Sequence, residues 1–157
     1  MQDIRDNRDT PPTIITTIII TSYTPKASQP TLNKSSKYAQ VMVEDAIDHY
    51  NREGRQEAID YYCLPESMDD EWYVFIVDEF GHTISHYNSD LIGQEPMLYI
   101  DSTGYPYGQE LLSANENGKW VTYVYHNPTT DKEERKHTWA VRHDSLFFCS
   151  GWYEKSD

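Results

Sequence analysis

Residues 72–86 of the chain read WYVFIVDEFGHTISH, and this stretch decides the fold. The run WYVFIVD at residues 72–78 is almost entirely aromatic and β-branched, which predicts a central strand covered on both faces. The next three residues, EFG at 79–81, predict a tight turn in which Gly81 takes a positive φ. Residues 82–86 return as a second strand, so the stretch predicts a β-hairpin.

Upstream of the hairpin, residues 36–53 predict a helix. Apolar and aromatic side chains recur there with 3.6-residue spacing, and Ser35 or Ser36 can cap the N-terminus. Gly54 is suited to cap the C-terminus. Residues 55–62 predict a short second helix.

Downstream, the sequence predicts an irregular crossing, a short helix and three more strands. Residues 87–106 contain two glycines and two prolines, and residues 107–114 can form one or two helical turns. Three later strands are predicted at residues 119–126, 136–143 and 146–153. A polar turn at residues 127–135 separates the first two of them. This pattern predicts an α+β domain with a five-stranded antiparallel sheet, covered by a helix on one face, and a crossing that roofs a pocket.

Residues 1–35 read differently and are excluded from the domain, which is assigned to residues 36–155. The segment starts with polar residues of mixed charge and contains the apolar run TIITTIIIT at residues 13–21. That run is far shorter than the roughly 20 residues of a membrane-spanning helix, and a secretory signal would begin with positive charge. The segment is interpreted either as a degenerate, mis-started export signal or as an extended or disordered tail.

Charge and composition exclude several classes of protein. The 157 residues include 13 Lys+Arg and 26 Asp+Glu, a net charge of −13, which argues against binding to nucleic acid or to an anionic membrane surface. The aromatic content of 13% argues against a disordered chain. Cys63 and Cys149 form no C-x-x-C pattern, and they are either a disulfide or two buried thiols.

Four sequence blocks, in order, carry a resemblance to a known family. The first is a strand–Asp–x–x–Gly hairpin at residues 73–81, and the second, at 86–94, is a His block with two hydrophobic residues and Gly near its end. The third, at 118–136, is a Gly–x–Trp–Val–x–Tyr block followed by Asn-Pro and Lys. The fourth is a closing Ser–Gly–x–Tyr strand at 150–153. Over residues 37–154 the chain resembles the extracellular single Cache domain, a PAS-like sensor fold. Tyr87 and Cys149 depart from the family pattern, which favours Pro and a small residue at these positions.

The resemblance implies a non-catalytic, extracytoplasmic domain that is periplasmic, secreted or membrane-tethered. Such a domain binds a small carboxylate, amino acid or related metabolite, and it feeds signal transduction when linked to an effector. Because the chain ends at Asp157, we expect the signalling effector to be separate or missing. The N-terminal helix is the candidate surface for a homodimer, and no cofactor is expected. Ligand binding would close residues 87–107 over the sheet and shift the N-terminal helix.

Aromatic side chains and one lysine are the strongest ligand candidates, because small-molecule sites are mostly apolar with a few polar groups. For each ring, packing in the core beneath the helix is the alternative. Lys136 is interpreted either as the partner of a ligand carboxylate or as a surface charge at a strand end. The predicted ligand-binding residues are Tyr73, His86, Tyr99, Asp101, Tyr107, Trp120, Tyr123, Lys136 and Trp139.

The sequence allows more than one role for several polar residues. His82 and His86 cannot share a metal ion, because four residues of strand separate them by ~13 Å. His86 either contacts the ligand or orients a loop, and Asp101 either contacts a ligand amine or caps a turn. Two further functions are considered: a small hydrolase or isomerase that uses His86 with Asp101 or Tyr107, and a protein-binding module that presents the aromatic face.

Overall fold

A computed structural model describes residues 33–95 and 98–155. The predictions for the apolar run and the rest of residues 1–32 lie outside the described residues, and the division of the chain at residue 35 stays a prediction. Within the described ranges, no helix combines the length and the apolar character needed to cross a membrane.

Two consecutive helices precede the sheet. Helix α1 spans Lys34–Glu53 and begins earlier than predicted, because the side chain of Asn33 caps it by accepting a hydrogen bond from the Ser36 amide at 2.7 Å. Gly54 ends α1 with a φ of 95°, and α2 follows at once over Arg55–Tyr62, as predicted.

Within the described residues, five strands form one antiparallel sheet. The strands are β1 (Val74–Val77), β2 (Thr83–Ser85), β3 (Lys119–Asn127), β4 (Lys132–His143) and β5 (Leu146–Tyr153), with helix α3 (Tyr107–Leu112) between β2 and β3 and 3₁₀ turns at Pro65–Ser67 and Ser89–Leu91. The strand order is β2-β1-β5-β4-β3, so β2 and β3 are the two edges. The predicted α+β class, with a long N-terminal helix and a five-stranded antiparallel sheet, is confirmed.

Strand β4 begins earlier than predicted. Residues 132–135, assigned from the sequence to a polar turn, continue the pairing with β3, with Lys132 opposite Asn127 and Glu134 opposite Tyr125. The turn itself covers residues 128–131. The charged residues at 132–135 favoured a loop in the sequence-based prediction. In the structure these residues are mostly exposed, so a strand can form there without apolar side chains.

Alternation along β1 sends neighbouring side chains to two separate cores. Val74 and Ile76 belong to a buried cluster that includes Val43 of α1. Tyr73 and Phe75 belong to a second cluster on the opposite face, which includes residues of α3. Helix α1 therefore covers one face, and α3 covers part of the other, which explains the nearly unbroken hydrophobic sequence of β1.

The crossing segment, defined here as residues 87–106 between β2 and α3, is held at both edges of the sheet. Thr83 of β2 donates its amide to the carbonyl of Gln94 and accepts from the amide of Gly93, both at 2.8 Å. At the opposite edge, the Asp101 carboxylate accepts from the Val124 amide of β3 at 2.9 Å. The described residues of the segment therefore reach both edges of the face that α1 leaves open.

Replacing Gly118 with Ala is expected to destabilise the fold by about 2–4 kcal/mol, because two costs add. Gly118 has a φ of 82°, a conformation that side chains disfavour, and a Cβ there would lie 2.0 Å from the ring of Trp139. Thermal unfolding of the full chain measures the loss. Gly104→Ala is the matched control, since Gly104 has a φ of 88° but no heavy atom within 4 Å of the position that a Cβ would take. Equal losses in both variants would contradict the packing role of Trp139.

Candidate ligand-binding site

A small cavity lies between the sheet and the crossing segment, on the face opposite α1. Its volume is about 30 Å³, which is room for a few water-sized groups. The cavity is mostly apolar with a few polar groups, as ligand sites are. It is lined by Tyr73, Phe75, Thr83, His86, Leu91, Tyr99, Tyr107, Leu111, Tyr123, Tyr125 and Lys136.

Lys136 places a buried amine in this cavity. It is 1% exposed, because alternation along β4 points it to the same face as Thr138 and Ala140. Its Nζ lies 4.3 Å from the ring centroid of Tyr73 and 5.2 Å from that of Tyr125, where cation–π attraction favours the charged form. Among the described residues, no Asp or Glu forms an ion pair with it. Desolvation by burial lowers the pKa of Lys136 to about 7.

A chain of hydrogen bonds fixes how Lys136 donates. Its Nζ lies 2.6 Å from the Tyr73 hydroxyl, which is 3.5 Å from the Tyr153 hydroxyl, and Tyr153 donates to the His126 carbonyl at 2.9 Å. Each hydroxyl has one proton to donate. Tyr153 donates its hydrogen bond to the His126 carbonyl, so Tyr73 donates to the Tyr153 oxygen and accepts from Lys136. An ammonium has three N–H donors. Within the described part of the chain, Lys136 therefore keeps two donors for a ligand.

His86 adds a further donor of fixed orientation. Burial, with a smaller contribution from Lys136, lowers the pKa of His86 to about 3, so the ring is neutral near pH 7. Its Nδ1 lies 3.0 Å from the amide of Asn88, which donates to it. A neutral imidazole that accepts at Nδ1 carries its proton on Nε2. His86 therefore orients the start of the crossing segment and presents Nε2–H as a donor.

Tyrosines form most of the remaining wall. The rings of Tyr107 and Tyr123 stack with centroids 4.1 Å apart and an interplanar angle of 4°. The hydroxyl of Tyr123 hydrogen-bonds to Thr138 at 3.0 Å, and this bond helps hold the stacked pair. The structure brings six of the nine predicted site residues to the cavity, namely Tyr73, His86, Tyr99, Tyr107, Tyr123 and Lys136.

Asp101 lies apart from the cavity and caps a turn. Besides Val124, its carboxylate accepts hydrogen bonds from the amides of Thr103 and Tyr105 and from the Thr103 hydroxyl. Desolvation raises the pKa of Asp101, but these hydrogen bonds outweigh it and lower the pKa to about 2. Because Val124 lies on an edge strand of the described sheet, Asp101 takes the place of a strand partner for its amide. The enzyme hypothesis paired His86 with Asp101 or Tyr107. No hydrogen bond links Asp101 to His86 among the described residues, whereas Tyr107 lines the same cavity as His86.

Trp120 and Trp139 lie on the opposite face of the sheet. They are cross-strand partners, their ring centroids are 5.2 Å apart, and Trp139 packs against the cluster that includes α1. Strand alternation explains this placement, because Tyr123 and Lys136 are each an odd number of residues away from their tryptophan. The aromatic wall of the cavity is therefore built from tyrosine and Phe75.

The sequence-based prediction missed five lining residues, which are Phe75, Thr83, Leu91, Leu111 and Tyr125. Two of them could have been predicted from the sequence, because residues two apart on a strand share a face. Tyr125 lies two residues after Tyr123, and Phe75 lies two residues after Tyr73. Leu91 lies in the irregular crossing segment, where no periodicity identifies the inward face.

Neither cysteine lines the cavity. Cys63 and Cys149 are both free thiols, and burial raises the pKa of Cys149 above its usual range. In residues 33–95 and 98–155, no group of three His, Cys, Asp or Glu side chains is placed to hold a metal ion.

Solved structures with a similar fold include two from chemotaxis proteins and one Cache chemosensory domain. A methyl-accepting chemotaxis protein from Vibrio parahaemolyticus RIMD 2210633 has a TM-score of 0.63 at 19% identity, covering 76% of this chain and 85% of that one. A periplasmic sensor domain of a chemotaxis protein has a TM-score of 0.59 at 20% identity, covering 76% and 90%. A Cache chemosensory domain, described with its recognition of carboxylic acids, has a TM-score of 0.57 at 17% identity, covering 76% and 88%.

Sequence comparison identifies the family. No curated protein matches the chain significantly. The family model described as single Cache domain 2 matches residues 33–145, more than half of the chain. Its match begins at Asn33, the residue that caps α1, and extends through β1, β2, β3 and β4. The chain therefore belongs to the single Cache domain 2 family.

Proposed function

We propose that this domain is a non-catalytic, extracytoplasmic sensor that binds a small carboxylate in the cavity. The observation that carries the proposal is Lys136, a buried amine with two unused donors and no acidic partner among the described residues. A carboxylate would supply the missing counter-ion. Family membership supports the sensor role, and the recognition of carboxylic acids by a structurally similar Cache domain supports the ligand class.

The donors around the cavity favour an anion. Lys136 and the Nε2–H of His86 both belong to side chains that line it, and a carboxylate accepts hydrogen bonds on two oxygens. The chain carries a net charge of −13, so its overall field repels anions. Attraction of a carboxylate must therefore come from the few hydrogen-bond donors that are desolvated inside the cavity, where charge-assisted hydrogen bonds are strong.

The cavity favours a carboxylate without an amino group. An amino acid would bring an ammonium that needs an acidic or carbonyl acceptor, and none of the described lining residues is Asp or Glu. Asp101 was the candidate for this contact, but its carboxylate is occupied by the turn and by Val124. Simple carboxylates are therefore preferred over amino acids in this proposal.

The sheet offers a route from the ligand to α1. Strand β4 carries Lys136 on the cavity face and Trp139 on the face that packs with α1. A ligand that draws Tyr99 of the crossing segment toward Lys136 would favour one arrangement of β4 and α1 over another, provided that its affinity for the two differs. In a receptor, α1 would pass this shift to a signalling effector, and its exposed Tyr38 and Val41 would serve a homodimer contact.

The experiment is a thermal-shift titration of the full chain with acetate, propionate and pyruvate, with alanine and glycine, and with ethylamine. Carboxylates are expected to stabilise the fold by about 2.7 kcal/mol at 100 times their Kd, whereas the amine has no effect and the amino acids bind more weakly. A response to ethylamine alone, or to none of these compounds, would overturn the proposal.

A further inference from the structure

We infer that the carboxylate ligand carries an apolar tail, and that the tail lies in a groove on the outer side of the crossing segment. This inference rests on the proposed carboxylate site and deepens it. It assigns the ligand to the monocarboxylic acids with a linear or aromatic hydrocarbon chain, rather than to the smallest acids or to dicarboxylic acids.

A second and larger concavity adjoins the cavity. It has a volume of about 410 Å³, against about 30 Å³ for the cavity itself. The two share four lining residues, which are Leu91, Tyr99, Tyr107 and Tyr125. These four side chains line both spaces, so a ligand chain that passes between them from the Lys136 side would enter the groove.

The groove includes two aliphatic side chains that are largely open to solvent, beside the polar Asp90 and Gln94. Leu98 is 70% exposed and Ile100 is 63% exposed, and both line the groove. Tyr99, between them in sequence, lines the cavity as well. One short stretch of chain thus supplies both the inner aromatic wall and the outer aliphatic wall, so a ligand that touches Tyr99 is adjacent to both.

The small size of the cavity determines which end of the ligand lies inside it. About 30 Å³ holds the carboxylate and little more, so any longer chain must leave past the shared tyrosines and leucine. Burial of a hydrocarbon chain against Leu98 and Ile100 would remove apolar surface of both partners from water.

The charge at the groove excludes a second acidic group. Asp90 is part of the groove wall, and the described lining residues of the groove include no Lys, Arg or His. A dicarboxylate with one end at Lys136 would place its other end near Asp90 without a cation to pair with. The site therefore favours one carboxylate and one apolar end.

The test is isothermal titration of the full chain at pH 6.5 with acetate, butyrate, hexanoate, octanoate and adipate. Once the chain reaches the groove, each added methylene is expected to tighten binding about fourfold, the equivalent of about 0.8 kcal/mol per buried CH₂. Adipate should bind more weakly than hexanoate. The double variant Leu98→Ser/Ile100→Ser should flatten the chain-length dependence without changing the Kd of acetate.

Phe80→Ser is the matched control, because Phe80 is 69% exposed in the β1–β2 turn and does not line the groove. It should leave the chain-length dependence intact. If acetate binds but longer acids gain nothing, or if the double variant keeps the full dependence, the groove assignment is overturned while the carboxylate site stands. If hexan-1-ol binds as tightly as hexanoate, the head group is not recognised, and the carboxylate site itself fails. If no acid binds, both proposals fail.

Discussion

Lys136→Met is expected to abolish carboxylate binding and, at the same time, to stabilise the unliganded domain. Loss of the cation removes the counter-ion and its donors from a desolvated site, where truncating one partner of a charge pair costs about 2–5 kcal/mol, so affinity should fall at least about 30-fold. Burial of an unpaired amine is itself unfavourable, as its pKa of about 7 shows. Replacing it with an apolar side chain of similar length should stabilise the fold by about 1–3 kcal/mol.

Two measurements on the same protein separate these effects. Titration calorimetry with the best-binding acid reports the affinity, and thermal unfolding without ligand reports the stability. Lys132→Met is the matched control, because Lys132 lies on the same strand and is exposed. It should change neither quantity appreciably. A Lys136→Met protein that still binds carboxylates, or that loses stability while keeping the β4 pairing, would contradict the role given to this amine.

Carboxylate affinity is expected to fall about tenfold for each pH unit above 7, because the ligand selects the protonated form of Lys136. The pKa of Lys136 is about 7 in the unliganded domain, and a bound anion raises it. Below pH 7 the amine is already charged, so the carboxylate affinity does not change with pH. Above pH 7 binding takes up a proton. The pKa of His86 is about 3, so this ring stays neutral throughout.

Calorimetry in two buffers of different ionisation enthalpy measures that proton directly. The uptake should be near zero at pH 6 and should approach one proton per ligand by about pH 8.5. The unliganded fold should respond in the opposite sense. Between pH 7 and the ordinary lysine pKa of about 10.4, the unfolded state binds more protons, so the contribution of Lys136 to stability rises with pH. An affinity that stays constant from pH 6 to 8.5 would refute this coupling.

Local sequence patterns were sufficient to predict most of the helices and strands. The limits of β5 follow from its hydrophobic run, because the strand is buried on both faces along nearly its whole length. The start of α2 follows from Gly54, which ends α1 directly before it. Where burial stops, the sequence signal also stops. The exposed first residues of β4 resembled a loop, and the start of α1 depended on a single side-chain cap at Asn33.

The candidate site was predictable where it lies on strands. Tyr123 and Lys136 alternate to the same face, and applying that rule consistently would have added Tyr125 and excluded Trp120 and Trp139. The crossing segment offers no such period. The position of Asp101 there depends on which backbone amide of β3 lacks a partner, and that is a property of the folded sheet.

The two attachments of the crossing segment also protect the domain against aggregation. An edge strand with free amide and carbonyl groups can pair with a strand of another molecule. Thr83 of β2 is already engaged by Gly93 and Gln94, and Val124 of β3 is engaged by Asp101. One connection thus obstructs strand addition at both ends of the sheet, which suits a domain that must stay dispersed while it holds an apolar groove open to solvent.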